Sequence, residues 1–355
     1  MNQEKHILAA PHGAGHTISA CSSLREALRR INSLHNVPLT LFVLDRDGRV
    51  AGSMTDGDLR RALLAGHGME SSVEEAMRRD FLALRPGDDA IAVFDQARRR
   101  NVKLLPRLDA DGRMTDMVDL SLIKSLLPVD AVLMAGGRGE RLRPLTLTTP
   151  KPLLRVGGKA IIDYNVDELE AHGVERIFVT VNYLKEQIEA HFSYPRRARI
   201  ACVAEPKRLG TMGSLALVEG LKADDILVMN SDLLTTLNFE DMLRHHRSTD
   251  ADLTMATVGY NVTVPFAVLD IDGDRVTGLR EKPSYNYSAN AGVYIMKRRL
   301  MDRIVPGEYL DAPDFIESLI ADGLKVAYFP VKGLWIDIGS PADFKYADEL
   351  MSARR

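Results

Sequence analysis

The sequence predicts an α/β protein, with a mostly parallel, helix-covered sheet over residues 129–355 and a smaller α+β module over residues 1–128. Three observations predict it. After Leu127-Pro128, apolar runs of strand length alternate with segments of helical spacing. Before that break, a helix–strand–turn–strand–helix pattern occurs twice. At 355 residues, 45% hydrophobic and 27% charged, the chain has the balance of a globular protein with room for two cores.

The first copy of the repeat runs through a helix at 24–31, a strand at 39–44, the turn Asp45-Arg46-Asp47-Gly48, a strand at 50–54 and a helix at 56–64. The second runs through a helix at 90–99, a strand at 103–108, the turn Asp109-Ala110-Asp111-Gly112, a strand at 114–118 and a helix to Leu127. Like units of this kind pack together, each covering the other's apolar face. From Ala131 onward strands are expected at 131–134, 176–181, 200–203, 226–229 and 276–279, with helices at 161–169, 184–192 and 212–221 between them. A mostly parallel sheet presents its ligand site at the carboxyl ends of its strands, so the loops after those strands are where chemistry is expected.

Charge and cysteine content exclude several classes. Lys plus Arg number 46 and Asp plus Glu 49, a net charge of −3, which argues against a nucleic-acid binder. Two distant cysteines, Cys21 and Cys202, make neither a disulfide framework nor a CxxC site. The chain shows no secretory leader and no apolar run of membrane-spanning length. A cytoplasmic protein with no membrane partner is expected.

The first loop after a strand is Ala135-Gly136-Gly137-Arg138-Gly139-Glu140-Arg141-Leu142. Its glycines let backbone N–H groups approach an anion, and Arg141 adds a rigid cationic fork. Pro150-Lys151-Pro152 follows, with two prolines stiffening the backbone that carries Lys151. Neither a dinucleotide fingerprint nor a Walker A loop is present. Taken alone, the glycines read equally well as a surface turn. Asp232, which ends the apolar strand stretch Leu227-Val228-Met229-Asn230-Ser231-Asp232, and Asp337, in Trp335-Ile336-Asp337-Ile338-Gly339, are each open to reading as turn or cap residues. His245-His246 and the scattered methionines read as structural.

The full string from Ala135 to Thr146 with Pro150-Lys151-Pro152-Leu153-Leu154 resembles the entry signature of the sugar-nucleotide pyrophosphorylases, or sugar-1-phosphate nucleotidyltransferases. The resemblance covers about residues 129–350 and implies a Rossmann-like, GT-A-like domain. It implies that Ala135, Gly136, Gly137, Arg138 and Gly139 wrap the triphosphate while Arg141 and Lys151 hold its phosphates. It assigns one Mg²⁺ to Asp232 and Asp337. It turns Glu281-Lys282-Pro283 toward the sugar phosphate, with Lys282 on the attacking phosphate and Glu281 and Asn290 on the sugar. Glu205-Pro206-Lys207-Arg208-Leu209-Gly210-Thr211-Met212-Gly213 resembles the base-side segment of guanylyl-transferring members, which puts Glu205, Gly210 and Thr211 at the nucleotide and favours GTP; UTP, dTTP and CTP stay open.

In the N-terminal module, Gly52-Ser53-Met54-Thr55-Asp56-Gly57-Asp58-Leu59 resembles the cystathionine-β-synthase-type (CBS) domain signature, so residues 1–128 resemble a CBS pair. The resemblance implies an adenine nucleotide at Thr55 and Asp56, or else a dimerisation module. Asp119-Leu120 stands where the second copy would carry Thr-Asp, so one site is expected. A CBS pair before this catalytic domain resembles the arrangement in bacterial surface-sugar enzymes, including glucosamine-1-phosphate guanylyltransferases of legionaminic acid synthesis. Glucosamine 1-phosphate is therefore the favoured acceptor, with mannose and heptose 1-phosphates as alternatives. A homo-oligomer is expected. The rival class is a nucleotide sensor with an inactive transferase domain, against which the intact Arg141, Lys151, Asp232, Lys282 and Asp337 argue.

Overall fold

The computed structural model describes residues 15–354; the part of the N-terminal module at residues 1–14 lies outside the described residues. The chain divides into two compact units, 1–128 with 171–173, and 129–170 with 174–355.

The first unit opens with β1 (Thr17–Ser19), α1 (Leu24–Ser33), β2 (Thr40–Leu44), β3 (Val50–Thr55) and α2 (Asp56–Leu64). Ser23 caps α1 by accepting from the Glu26 N–H, and the helix buries Leu24, Ala27 and Ile31 on one face. These side chains pack on Ile18, Leu41, Val43 and Met54 of the three-stranded sheet β1-β2-β3. The second half follows as α3 (Val73–Ala76), α4 (Ala90–Arg99), β4 (Leu104–Leu108) and β5 (Met114–Asp119). The repeat is visible at its turns. Asp45 Oδ1 accepts from the N–H groups of Asp47 and Arg49, and Asp109 Oδ1 accepts from those of Asp111 and Arg113. Gly48 and Gly112 follow with φ of 78° and 81°, a conformation that suits glycine. Phe42 of the first half and Leu104 and Met117 of the second form one shared cluster.

The second half departs from expectation after β5, because no helix runs to Leu127. Asp119 accepts from the Ser121 N–H and hydroxyl, a turn that competes with helix initiation. The Lys124 and Leu127 N–H groups then donate to the carbonyls of Ala171 and His172 instead of to one another.

The second unit begins with β6 (Val129–Met134), all six of whose residues are buried. The ribbon β7 (Arg155–Val156) and β8 (Lys159–Ala160) leads to α5 (Ile161–Ala171), β9 (Arg176–Val181), α6 (Lys185–His191), β10 (Arg199–Ala204), α7 (Gly210–Gly213) and β11 (Asp225–Asn230). Then come β12 (Leu233–Thr235), α8 (Phe239–Ser248), β13 (Leu253–Thr263), β14 (Val268–Asp272), β15 (Arg275–Arg280), β16 (Ser284–Lys297), α9 (Ala312–Ala321), β17 (Val326–Pro330), β18 (Trp335–Asp337) and α10 (Pro341–Ala353). Seven strands form one sheet in the order β10-β9-β6-β11-β16-β13-β17. The first four are mutually parallel, β16 is antiparallel to both neighbours, and β17 runs parallel to β13. The observed class is thus α/β with a mostly parallel sheet, as the alternation of patterns predicts.

The helix expected over 212–221 ends early. Four α-helical residues pass into a 3₁₀ turn at Ser214–Leu217, and Val218 is extended. Gly220, at φ 82°, has left the helical region. Beyond the sheet, β13 and β16 continue as a two-stranded ribbon whose far end carries the separate hairpin β14–β15.

Candidate functional site

The carboxyl ends of β6, β9, β10 and β11 open into one cleft of about 670 Å³. Met134, Thr180, Asn182, Glu205 and Asn230 come to its wall from those strand ends. This is the position at which a parallel sheet offers free backbone groups to a ligand.

The glycine loop forms the first wall. Ala135 N–H donates to the Thr180 carbonyl, which ties the loop to the neighbouring strand. A Cβ on Gly136 would lie 2.2 Å from Glu205 Oε1, so only glycine lets that carboxylate come so close. Gly139 has φ 60°, and its missing Cβ makes room for Thr146 and Lys151, whose nearest atoms would stand at 2.9 and 3.1 Å. Thr146 Oγ1 donates to the Gly139 carbonyl at 2.8 Å and closes the loop against the Pro150-Lys151-Pro152 element. Ala135 through Arg141 all line the cleft.

Lys151 begins a short 3₁₀ turn and is buried, an unusual state for a lysine. Its ammonium is paired with Asp232 and stands 3.8 Å from Asp337 Oδ1. The two aspartates, distant in sequence, meet because β12 and β18 pair antiparallel with Leu233 opposite Asp337. Ile338 N–H donates to the Asp232 carbonyl at 3.2 Å, adding a bond beyond the ladder. Behind them, Ser231 Oγ donates to the Met134 carbonyl and Asn165 donates to the Ser231 carbonyl. The turn bearing Asp232 is therefore held from both sides. Arg141 lies across the backbone of Gly339, where a Cβ would meet its guanidinium at 3.3 Å.

Burial first, and then the charge of Asp232, push the Asp337 carboxyl above its usual range, against the pull of Lys151 and Arg141. Asp232 Oδ1 is buried and, among the described residues, has no hydrogen-bond partner. An orphaned carboxylate oxygen beside a second carboxylate is a position that calls for a cation. Among the described residues no group of three or more His, Cys, Asp or Glu gathers in this way. Asp232 and Asp337, joined through Lys151, are the two carboxylates at the site that could share a metal with substrate oxygens.

A second part of the wall comes from the segment between Glu205 and Ser214. Glu205 is buried, and its Oε2 accepts from the Leu209 N–H at 3.1 Å. Burial raises its carboxyl above the usual range, opposed by the Leu209 bond and the nearby Arg208 charge. Gly210 has φ 80°, and a Cβ there would lie 2.5 Å from the Leu310 carbonyl oxygen. Thr211 N–H donates to Asp311 Oδ1 at 3.0 Å, and Thr211 Oγ1 accepts from the Ala312 N–H at 2.8 Å. Asp311 stands at the N-cap of α9 yet spends its carboxylate on Thr211 and Tyr309 instead of on its own helix.

Arg141, Lys151, Asp232, Glu205, Gly210, Thr211 and the glycine loop therefore converge on the cleft, whereas Asp337 is not among its lining residues and stands 3.8 Å from Lys151. Glu281, Lys282 and Asn290 do not line the cleft. Glu281 and Lys282 are exposed at the end of β15, with Lys282 in the left-handed region at φ 43°. Asn290 uses its side chain locally, donating to Tyr294 Oη at 2.7 Å and accepting from the Gly292 N–H at 2.9 Å. In the other unit, Thr55 caps α2 in a reciprocal box with Asp58, and Asp56 pairs with Arg60 at 2.5 Å. Asp58, buried, is pushed up by desolvation but held below the usual range by its bonds from Thr55 and Arg61.

Sequence reasoning missed Asn182, Lys207, Arg208, Asn230, Ser231 and Asp311, all of which line the cleft. Strand-end position could have found Asn182 and Asn230. Asp311 carries no such signal, since it reaches the site from a helix start a hundred residues beyond Thr211.

The comparisons with known proteins follow the same division. The nucleotidyl transferase family model matches residues 130–353, and the CBS domain model matches residues 17–65. The mannose-1-phosphate guanylyltransferase of Mycobacterium tuberculosis is 34% identical over 224 residues, 61% of this chain and 62% of its own length. The mannose-1-phosphate guanyltransferase of Schizosaccharomyces pombe is 33% identical over 228 residues, 60% of this chain and 62% of its own. The chain thus spans about three-fifths of the length of these relatives. The crystal structure of HddC from Yersinia pseudotuberculosis superposes with a TM-score of 0.49 at 27% identity, covering 62% of this chain and 99% of that one. With its glycine loop, buried lysine and paired aspartates inside the matched span, this chain belongs to the nucleotidyl transferase family.

Proposed function

We propose that this protein is a sugar-1-phosphate guanylyltransferase, joining GTP to a sugar 1-phosphate and releasing pyrophosphate. The observation that carries the reading is Lys151 held between Asp232 and Asp337 beside a glycine-lined cleft. A phosphate monoester is already largely dianionic at neutral pH, with a second pKa near ~6, so the attacking oxygen needs no protein base. What the reaction needs is alignment of that oxygen with the α-phosphorus and neutralisation of gathered negative charge. The 135–139 backbone and Arg141 would take the triphosphate. Lys151 would stabilise charge on the departing pyrophosphate. Lys282 would offset repulsion between the two phosphates, and Glu281 and Asn290 would contact the sugar once the arm formed by the β13–β16 ribbon and the β14–β15 hairpin is in position over it.

Asp232 and Asp337 would hold a divalent cation, in keeping with the orphaned Asp232 oxygen. Mg²⁺ is the proposed ion, because it binds through one or two carboxylates and completes its shell with phosphate oxygens and water. When bound it would supply charge neutralisation and polarisation of the α-phosphate.

Guanine is favoured by the Glu205–Gly213 segment and by the names of the relatives. The same names favour mannose 1-phosphate as acceptor, whereas the CBS-plus-transferase arrangement favours glucosamine 1-phosphate. Pyrophosphate release measured for four nucleoside triphosphates against mannose, glucosamine and heptose 1-phosphates decides among them. Absence of release in every combination, with Mg²⁺ present, would leave the inactive nucleotide sensor as the better reading. For the CBS unit we propose an adenine nucleotide at Thr55 and Asp56; calorimetry of the full chain with AMP and ATP tests it, and no heat of binding removes that role.

A further inference from the structure

The segment after β10 carries two cationic side chains to the cleft, Lys207 and Arg208, and the proposed reaction gives neither a task. Arg208 is the more constrained. The turn that bears it is tied at both ends. Glu205 N–H donates to the Val181 carbonyl, Glu205 Oε2 accepts from the Leu209 N–H, and the Leu209 carbonyl accepts from the Leu310 N–H at 2.8 Å. Leu209 itself is fully buried. Arg208 is exposed, and its guanidinium lies over the ring of Tyr309, with Cζ 5.8 Å from the ring centroid.

Two carboxylates lie within reach of this charge, Glu205 and Asp311, yet among the described residues neither forms an ion pair with it. Asp311 has Oδ1 taken by the Thr211 N–H and Oδ2 by the Tyr309 hydroxyl. Burial pushes its carboxyl up, but the bonds from Tyr309 and Thr211 and the Arg208 charge hold it below the usual range. Glu205 has Oε2 taken by Leu209, while its Oε1 accepts no hydrogen bond among the described residues. One tied turn therefore brings to the cleft an unused carboxylate oxygen and an unused fork of N–H donors.

These two groups choose a ligand by their chemistry. An anionic acceptor beside a fork of donors complements a flat heterocycle that carries N–H donors next to acceptors. Guanine has both, with O6 and N7 accepting and its amino group donating. Adenine sets an amino donor where O6 would be, against the guanidinium. A phosphate is a poorer occupant, because the Glu205 carboxylate three residues away repels it, and Arg141 and Lys151 already supply cations for the triphosphate. We propose that Arg208 selects guanine, donating through its fork to O6 and N7 of the base. The inference rests on the guanylyl-transfer reading and adds to it a specificity-determining residue. The tied turn and the Tyr309 ring hold the fork in place before the base arrives.

The test is kcat/KM for pyrophosphate release by the full chain with Mg²⁺, using GTP, ATP and 7-deaza-GTP, which carries C–H in place of N7. The acceptor is whichever of mannose, glucosamine and heptose 1-phosphates supports release. The unaltered protein uses 7-deaza-GTP about 10-fold less well than GTP, as loss of one hydrogen bond to a charged group implies. Arg208→Met lowers kcat/KM for GTP by about 10–100-fold, uses GTP and 7-deaza-GTP equally, and narrows the preference for GTP over ATP. Arg208→Lys keeps the charge without the fork and stays indifferent to N7. Thermal unfolding verifies that both variants are folded. Equal use of GTP and 7-deaza-GTP by the unaltered protein, a 7-deaza-GTP penalty or a GTP-to-ATP ratio that survives intact in Arg208→Met, or full recovery in Arg208→Lys overturns the proposal and leaves guanylyl transfer standing. Release from another nucleotide but not from GTP, or from none, overturns guanylyl transfer itself, and the role of Arg208 falls with it.

Discussion

The wall around Lys151 and the arm are built by opposite means. Around Lys151 almost every contact is duplicated. The glycine loop is bonded to β9 and to Thr146, the Asp232 turn is held by Ser231 and Asn165, and Thr211 is bonded to the start of α9. Lys282 and Glu281 instead sit exposed just past the end of β15, with no hydrogen bond to the wall among the described residues. The contrast teaches where preorganisation has been placed. On the proposed function, the groups that would stabilise charge are set before substrate arrives, which is where electrostatic catalysis draws its strength, and the proposed sugar contacts Glu281 and Lys282 lie outside that fixed wall.

If that division is right, the two regions fail differently. Lys151→Ala and Asp232→Asn should each lower kcat by about 10²–10³-fold with the thermal midpoint little changed, as loss of one preorganised group does; stopped assays of pyrophosphate release check it, and wild-type turnover in either variant removes that residue's role. Lys282→Ala should act on the other side, raising KM for the sugar 1-phosphate by roughly 10-fold or more while KM for GTP holds, since it removes a charge-assisted contact of roughly 1.5–3 kcal/mol. A pure kcat defect in Lys282→Ala would erase the division, because the arm would then be acting in the transition state. Gly136→Ala sharpens the comparison from within the wall. Its Cβ must displace the Glu205 carboxylate, so KM for GTP should rise, by about 10-fold if one hydrogen-bonded contact of ~1.4 kcal/mol is lost, with KM for the sugar unchanged.

The smallest effect concerns pH. Glu205 has its carboxyl raised by burial. A raised carboxyl favours the folded state while protonated, and that contribution is lost as pH rises through the folded-state value. Glu205→Gln keeps an acceptor for the Leu209 N–H without a charge. Its thermal midpoint should therefore gain on the wild type as pH climbs from the acid range toward neutrality, by no more than a few degrees. Parallel midpoint curves would mean that Glu205 does not titrate differently on folding.

How much of this could be read from the residues alone varies with the kind of information required. The sheet was legible because strands such as Leu227–Met229 are continuous apolar runs between helical segments. Lys151, Asp232 and Asp337 stood out through their local strings, yet their meeting is a property of the β12–β18 ladder, which no local string encodes. The helix expected up to Leu127 failed because the N–H groups of that stretch bond to Ala171 and His172, partners remote in sequence. Asp311 was invisible for the same reason. Asn290 had a recognisable setting, but its bonds to Tyr294 and Gly292 make it a brace for β16 as well as a proposed sugar contact.

The β12–β18 ladder also has a meaning for the order of events during synthesis. The glycine loop, Lys151 and Asp232 leave the ribosome well before Trp335-Ile336-Asp337 exists, and until that short strand arrives the Asp232 turn lacks its partner. A nascent chain that has made only the first of these segments therefore has half of the acidic pair: the second carboxylate joins it only when residues 335–337 can pair with 233–235.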